Sequence, residues 1–273
     1  MDAAELLRRN EPDAALTALL EQIRGDPGDA KLRVFLFQLS CVVGDWTRAK
    51  TQLDVAVQMD SAALLMGRIY SDAITGETDR HKVFTGDLTP TILGEPEPWM
   101  AQLFEALRLN RRGEHAAAAA LRARAFDAAP ATAGRISDRS FTWIADADSR
   151  LGPMMEVIVK DRYYWLPFTR IARIVIEPPS DLRDQVWMPV KLLLVNGGET
   201  VGLIPTRYPG SEQSVDPRVR LARKTEWQEV AADTFEGKGQ RILATDTGEY
   251  PIMDIRAIDL DPTGPAAEDT ANG

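Results

Sequence analysis

The sequence predicts an α+β fold, in which an array of helical hairpins is followed by a small, strongly bent antiparallel β domain. Three observations carry this. The pattern Gly44, Trp46, Ala49, Leu53, Ala56, Ser61 recurs 34 residues earlier as Asn10, Pro12, Ala15, Leu19, Gln22, Pro27, and 69 residues later as Gly113, His115, Ala118, Arg122, Ala125, Pro130. A period near 34 with a turn residue, small residues at helix crossings and a closing polar residue or proline marks tetratricopeptide-like hairpins. After Pro130 the helical period gives way to short runs of β-branched and aromatic residues separated by turns. Between the two regimes, residues 131–140 are rich in breakers and small polar residues, as linkers are. The chain therefore reads as a helical repeat domain over 1–130, a linker over 131–140, a mostly β domain over 141–260 and a disordered tail over 261–273.

In the middle copy, Trp46, Ala49, Leu53, Ala56 and Val57 fall on one helical stripe, and Arg48, Lys50, Gln52 and Asp54 take the other face. The stretch before it, Leu32 to Val43, is apolar nearly all round and predicts a helix buried between neighbours, with Gly44 supplying the turn. Pro98 to Leu109 and the alanine-rich run from Ala116 to Phe126 make the last hairpin. Between them, Ser61 to Thr85 keeps helical patterning in Leu64, Leu65, Ile69, Tyr70 and Ile74, and Gly76, Gly86 and Pro90 are expected to break it. That period reads as a degenerate repeat followed by an inserted loop, Thr85 to Pro98.

Strands are predicted over Met155 to Val159, Arg162 to Phe168, Ile171 to Ile176, Val186 to Val195, Thr200 to Ile204, Arg241 to Thr245 and Ile252 to Ile258. Asn196-Gly197-Gly198 is a strong hairpin signal, and Asp161-Arg162 and Thr247-Gly248-Glu249 are weaker ones. One helix is expected around Ile144 to Leu151. The array is too short to leave its ends open, and the sheet is expected to cap one of them.

Composition narrows the function. The net charge is −9, with 15 basic and 19 acidic side chains in residues 1–130 and 17 and 22 in the rest, so neither half is basic enough to hold nucleic acid by its field. The longest apolar stretch, Val34 to Val43, falls short of the roughly 20 residues that span a bilayer, so no membrane partner is expected. The first residues lack the basic region of a secretory signal. The single cysteine, Cys41, rules out a disulfide framework, and the expected location is cytoplasmic.

Little points to chemistry. His81 lies in the degenerate repeat, and His115 occupies the packing slot filled by Trp46 and Pro12 in the other copies. Zinc spacings, Gly-x-Ser-x-Gly and phosphate-loop patterns are missing, and no cofactor or metal is expected. Asp146-Ala147-Asp148 could hold a cation or flank a scissile bond, but helix-start capping or a salt bridge to Arg150 accounts for the pair more simply. An enzyme built on Asp146, Asp148 and Glu156, most plausibly a metal-dependent hydrolase, is the rival to a binding protein. A small-ligand sensor in the sheet domain is a third reading.

Interface character is concentrated in two places. In Arg162 to Phe168, alternation puts Tyr163 and Trp165 on one face and Tyr164, Leu166 and Phe168 on the other, so one set is expected in the core and the other on the surface. Arg207 and Tyr208 in a turn-rich loop, then Arg223, Lys224 and Trp227 on a short helix or irregular segment, form the one basic and aromatic region of the second half. The candidate protein-binding residues are thus Tyr163, Trp165, Arg207, Tyr208, Arg223, Lys224 and Trp227.

Five stretches carry a family resemblance: Leu32 to Leu39, Gly94-Glu95-Pro96-Glu97-Pro98-Trp99, Trp143 to Pro153, Arg162-Tyr163-Tyr164-Trp165 and Gly202 to Glu212. The chain resembles the ImpE (TagJ, SciE) family of bacterial type VI secretion accessory proteins from about Ala14 to Leu260, with a loose match over Ser214 to Val219. The resemblance implies a cytoplasmic adaptor without catalytic activity. It implies binding to the small subunit of the contractile sheath near that subunit's N-terminal helix, and a link to the ATPase that recycles contracted sheath. It supplies no set of binding residues. A helix held in a groove of the repeats, or in the seam between repeats and sheet, fits both readings.

Overall fold

A computed structural model describes residues 2–261, so the expected tail beyond Asp261 lies outside the described residues. The N-terminal half holds α1 (Ala3–Arg8), α2 (Pro12–Gly25), α3 (Ala30–Val42), α4 (Trp46–Met59), α5 (Leu64–Phe84), α6 (Pro98–Arg111) and α7 (His115–Ala128). The repeat is legible residue by residue. Helices α2, α4 and α7 start at the equivalent positions Pro12, Trp46 and His115, and each is 14 residues long. The turn before each is set by a left-handed residue, Asn10 (φ 63°), Gly44 (φ 77°) or Gly113 (φ 77°). In all three, the next amide (Glu11, Asp45, Glu114) returns to the carbonyl five residues back, Leu6, Ser40 or Leu109, at 2.9–3.0 Å, which closes a Schellman turn.

Helix α5 departs from expectation. It runs unbroken through Gly76 for 21 residues against 13 in α3, two turns longer, and ends in the same kind of turn at Gly86 (φ 74°). Gly76 serves packing: a Cβ there would meet three Ile158 carbons at 3.0 Å, so the missing side chain lets the helix lie close on the sheet. The second helix of this period is replaced by the inserted loop, whose strand β1 (Thr91–Ile92) pairs in parallel with β6 (Arg162–Pro167).

The remaining strands are β2 (Ala133–Ile136), β3 (Arg139–Phe141), β4 (Ile144–Asp146), β5 (Met154–Val159), β7 (Ile171–Ile176), β8 (Trp187–Leu194), β9 (Glu199–Pro205), β10 (Thr225–Ala231), β11 (Thr234–Gly239), β12 (Ile242–Thr245), β13 (Gly248–Pro251) and β14 (Ala257–Asp261), with a short helix α8 (Pro217–Arg220). Nine form one sheet in the order β1-β6-β5-β9-β8-β7-β14-β2-β3, antiparallel throughout except for β1. Strands β13-β12-β4 form a second sheet and β10-β11 a separate hairpin. Thus the fold is α+β as predicted, with the main sheet larger than expected.

Three local expectations are overturned. The segment 131–140 carries β2 and the start of β3, because Gly134 and Ile136 find β14 as a partner. The helix expected over 144–151 is a strand followed by consecutive Asx turns: Asp146 Oδ1 accepts the Asp148 amide at 2.9 Å and Asp148 Oδ1 the Arg150 amide at 2.8 Å. These side chains offer the backbone an alternative to helical bonds. Residues 252–256 are a turn region, with the last strand beginning at Ala257.

The sheet separates two cores. Met154, Ile158, Tyr163, Trp165, Trp187 and Leu203 face the helices, while Met155, Val157, Leu166, Met188, Val190 and Ile204 face the other way, under the β12 sheet and the 252–255 turn. Both faces of β6 are therefore buried. The β half does not cap one end of the array. It meets α1 through Arg223, α2 through Arg220, the α3–α4 turn through Arg207 and Glu212, and α6 through Glu236. Helical hairpins turn on the same edge at every repeat, and the β half docks along that edge.

Candidate functional site

The seam between the halves is built on charge. Glu156 sits on β5 between Met154 and Ile158 and so points at the helices. Arg80 of α5 reaches it with two bonds, Nε to Oε1 at 2.6 Å and Nη2 to Oε2 at 3.1 Å, and also donates to the Arg207 carbonyl at 2.7 Å. Arg241 bridges Glu156 to Asp146, and Tyr163 donates to Glu156. Tyr208 donates to Asp146 at 3.0 Å. Beside this, Asp148 takes Arg150 and the Gly237 amide, and Arg150 also meets Glu236 at 3.3 Å.

Burial alone would raise the Glu156 carboxyl, but Arg80 and Arg241 outweigh it and hold it at about 2. At Asp146 burial prevails over the single Arg241 partner and lifts the group to about 6. Every carboxylate offered as a catalytic acid, Asp146, Asp148 and Glu156, is thus buried and committed to an arginine. The bland reading of the Asp146 and Asp148 pair, a salt bridge to Arg150, is the one seen for Asp148. Among the described residues no cluster of three His, Cys, Asp or Glu could hold a metal ion.

The seven candidate binding residues do not form one surface. Tyr163, Trp165, Arg207 and Tyr208 are buried, each against its own chain. Arg207 gives its guanidinium to the carbonyls of Val42 (2.8 Å) and Cys41 (3.1 Å) at the end of α3, and Arg223 does the same at α1, reaching Leu7 O at 2.9 Å and Asn10 Oδ1 at 2.8 Å. Unpaired carbonyls and the negative end of the helix dipole favour a cation there. Lys224 pairs with Asp216 and Glu226. Trp227 is 38% exposed, with its ring 5.4 Å from that of Tyr208.

Three cavities open along the seam, one of them, of about 490 Å³, between Asn110 and His115 of the array and Arg150 and Glu236 of the β half. A polar one of about 420 Å³ lies between Gly44, Trp46, Glu77 and His81 of the array and Gly210 and Glu212 of the β half. A larger groove of about 620 Å³ runs between α5 and the helix-facing side of the sheet. Its walls are Leu65 and Ile69 on the helix and Val175, Pro189, Val201 and Leu203 on the strands. Leu65 is 70% exposed, Ile69 41% and Val201 71%. In sequence, Leu64, Leu65 and Ile69 carry a helical pattern that assigns them no face. The available signal was that α5 carries more apolar residues than one stripe needs: Tyr70, Ala73 and Ile74 already fill the buried face.

Comparison with known proteins agrees with the earlier resemblance. The sequence profile of the family described as ImpE protein matches residues 138–259. A crystal structure of the protein VPA1032 from Vibrio parahaemolyticus matches with a TM-score of 0.86, covering 95% of this chain and 97% of that one at 24% identity, so the fold is shared. The type VI secretion system accessory component TagJ of Pseudomonas aeruginosa PAO1 is 51% identical over 263 residues, 96% of this chain and 92% of the relative. Identity of that degree along nearly all of both chains settles the relationship: this protein belongs to the ImpE/TagJ family.

Proposed function

We propose that this protein is a non-catalytic adaptor of a bacterial type VI secretion system, acting in the cytoplasm. It holds a helical segment of the small contractile-sheath subunit and links it to the ATPase that recycles the sheath. The observation that carries the adaptor reading over the hydrolase is the state of the acids: Glu156 is clasped by Arg80 and Arg241, Asp146 by Arg241 and Asp148 by Arg150. A carboxylate so paired and shielded is poorly placed to bind a metal or take a proton from a substrate. The accessory role of the TagJ relative supports the same reading.

The test is a pull-down with the purified small sheath subunit. Capture of the intact subunit, lost when its N-terminal helix is deleted, is the expected result; full capture of the truncated subunit sinks the proposal. Alongside it, a broad hydrolytic substrate screen is expected to be silent, and turnover abolished by Asp148→Ala would restore the enzyme.

A further inference from the structure

The hairpin of β10 and β11 stands apart from both larger sheets, and its two outer edges differ. On β11, Phe235 donates its amide to Ser149 Oγ and accepts the Ser149 amide, both at 2.9 Å. The Gly237 amide donates to Asp148 Oδ2 at 2.8 Å, and Gly239 donates to Ser211 Oγ at 2.8 Å and accepts the Tyr208 amide at 2.9 Å. That edge is sealed by its own chain. Because these three residues turn their backbone groups away from β10, the residues opposite them, Glu229, Trp227 and Thr225, turn theirs away from β11. Among the described residues, nothing outside the hairpin bonds to those groups. Trp227, Gln228 and Glu229 are consecutive exposed residues, so this edge is open to solvent. The edge strands of the other sheets, β1, β3, β4 and β13, are two to four residues long, whereas β10 has seven.

A free strand of this length is a template for another strand, and a two-stranded hairpin gains stability when its sheet is extended. The side chains of β10 select a second copy of the same strand. In antiparallel self-pairing, a twofold axis at Glu226 or at Glu229 sets that carboxylate against its own copy, and an axis at Thr225 runs the added strand past buried Leu221 and Ala222. An axis at Gln228 sets the Trp227 ring against Glu229. An axis at Trp227 sets the exposed indole against its own copy, Thr225 against Glu229, Glu226 against Gln228 and Lys224 against Val230, with no like charges directly opposed. It also brings the outward amides and carbonyls of Thr225, Trp227 and Glu229 face to face, for about six backbone hydrogen bonds. We propose that β10 is the interface of a homodimer, in which two copies pair edge to edge about a twofold axis at Trp227 and form a continuous four-stranded sheet. The inference goes beyond the adaptor reading and does not rest on it. A dimeric adaptor engages a repeating sheath at two points, which raises avidity without a new contact.

The experiment follows the mass of the purified full chain by analytical ultracentrifugation over a concentration series. Wild type is expected to pass from monomer to dimer as concentration rises. Trp227→Lys and Trp227→Glu each set like charges against each other at the axis and are expected to weaken the dimer about tenfold or more, with circular dichroism and Tm checking that each variant folds. An equal mixture of the two variants is the deciding arm, since lysine then faces glutamate across the axis: recovery of a dimer in the mixture supports the pairing, which a merely damaged hairpin would not give. Wild type that stays monomeric throughout the series overturns the proposal, and a dimer that both variants leave undiminished places the interface elsewhere and overturns it too. A dimer that Trp227→Lys strengthens puts lysine beside Glu229, moves the axis to Gln228 and overturns the Trp227 pairing. Monomeric wild type whose capture of the small sheath subunit is lost in both variants would assign the edge to a partner strand and overturn the homodimer.

Discussion

Glu156 shows how much one side chain can decide. A lone carboxylate in an apolar strand would be costly to bury, and two arginines from distant segments, Arg80 and Arg241, converge on it. Its folded value of about 2 lies below the ordinary 4.5, so its contribution to stability is complete above pH 4.5 and is lost as pH falls from there toward 2. Asp146 acts in the opposite sense, since its value of about 6 favours folding below pH 3.8 and that gain is lost as pH rises through 6. Replacing Glu156 by Gln removes the carboxylate that two buried guanidinium groups share, leaving Arg80 with Glu77 and Arg241 with Asp146, and is expected to cost about 3 kcal/mol. The Tm of the variant should also fall less steeply between pH 5 and 3 than that of wild type, measured by circular dichroism in matched buffers. Asp146 is present in both proteins, and burial, the main cause of its shift, is unchanged by the substitution, so the difference in slope reports mainly Glu156; identical slopes would refute the pairing.

The repeat is the element most fully legible in the sequence, because its turn and helix starts depend on local chemistry: Asn10, Gly44 and Gly113 fix the left-handed turn wherever the helices go next. What could not be read locally is which apolar residues face the core. Leu65 and Tyr70 lie on the same helix with similar character, and only the position of the sheet sends Tyr70 against Trp187 and leaves Leu65 on the groove. Tyr163 and Trp165 were marked by their aromaticity but are core on one face of β6 while Leu166 is core on the other, since the sheet is covered on both sides. The hairpin β10–β11 and strand β2 were missed because their pairing partners lie far along the chain or in weakly patterned sequence. The repeat also exposes an anomaly. Arg122 stands in the slot filled by Leu19 and Leu53, is only 3% exposed, and its three guanidinium nitrogens have no hydrogen-bond partner. Returning the slot to its repeat residue with Arg122→Leu removes an unpaired buried charge and is expected to stabilise the protein by about 1–3 kcal/mol. Calorimetry should record a rise in Tm of several degrees; a fall would mean that the guanidinium is satisfied in solution.

At the scale of the molecule, the two halves that the sequence separates at residue 130 share one core. Trp187 of β8 packs between Trp46 at 5.8 Å and Tyr70 at 5.9 Å, and Trp165 of β6 between Phe84 and Phe104, both at 5.9 Å. Arg80, Arg207 and Arg223 then tie the same boundary with bonds that cross it. A boundary of this kind differs from the small polar contact typical of loosely joined domains, where each part keeps its own core and moves independently. Cutting the chain after Pro130 would expose the four array aromatics, remove the cations from the ends of α1 and α3, and leave Arg80 without Glu156. The full chain is therefore expected to unfold in one calorimetric transition, with helical and aromatic signals lost together. Residues 1–130 expressed alone should show reduced helicity and no cooperative melt. Two resolved transitions in the full chain, or a cooperative melt in the fragment, would show that the array is a domain in its own right and that the seam is only a contact between finished parts.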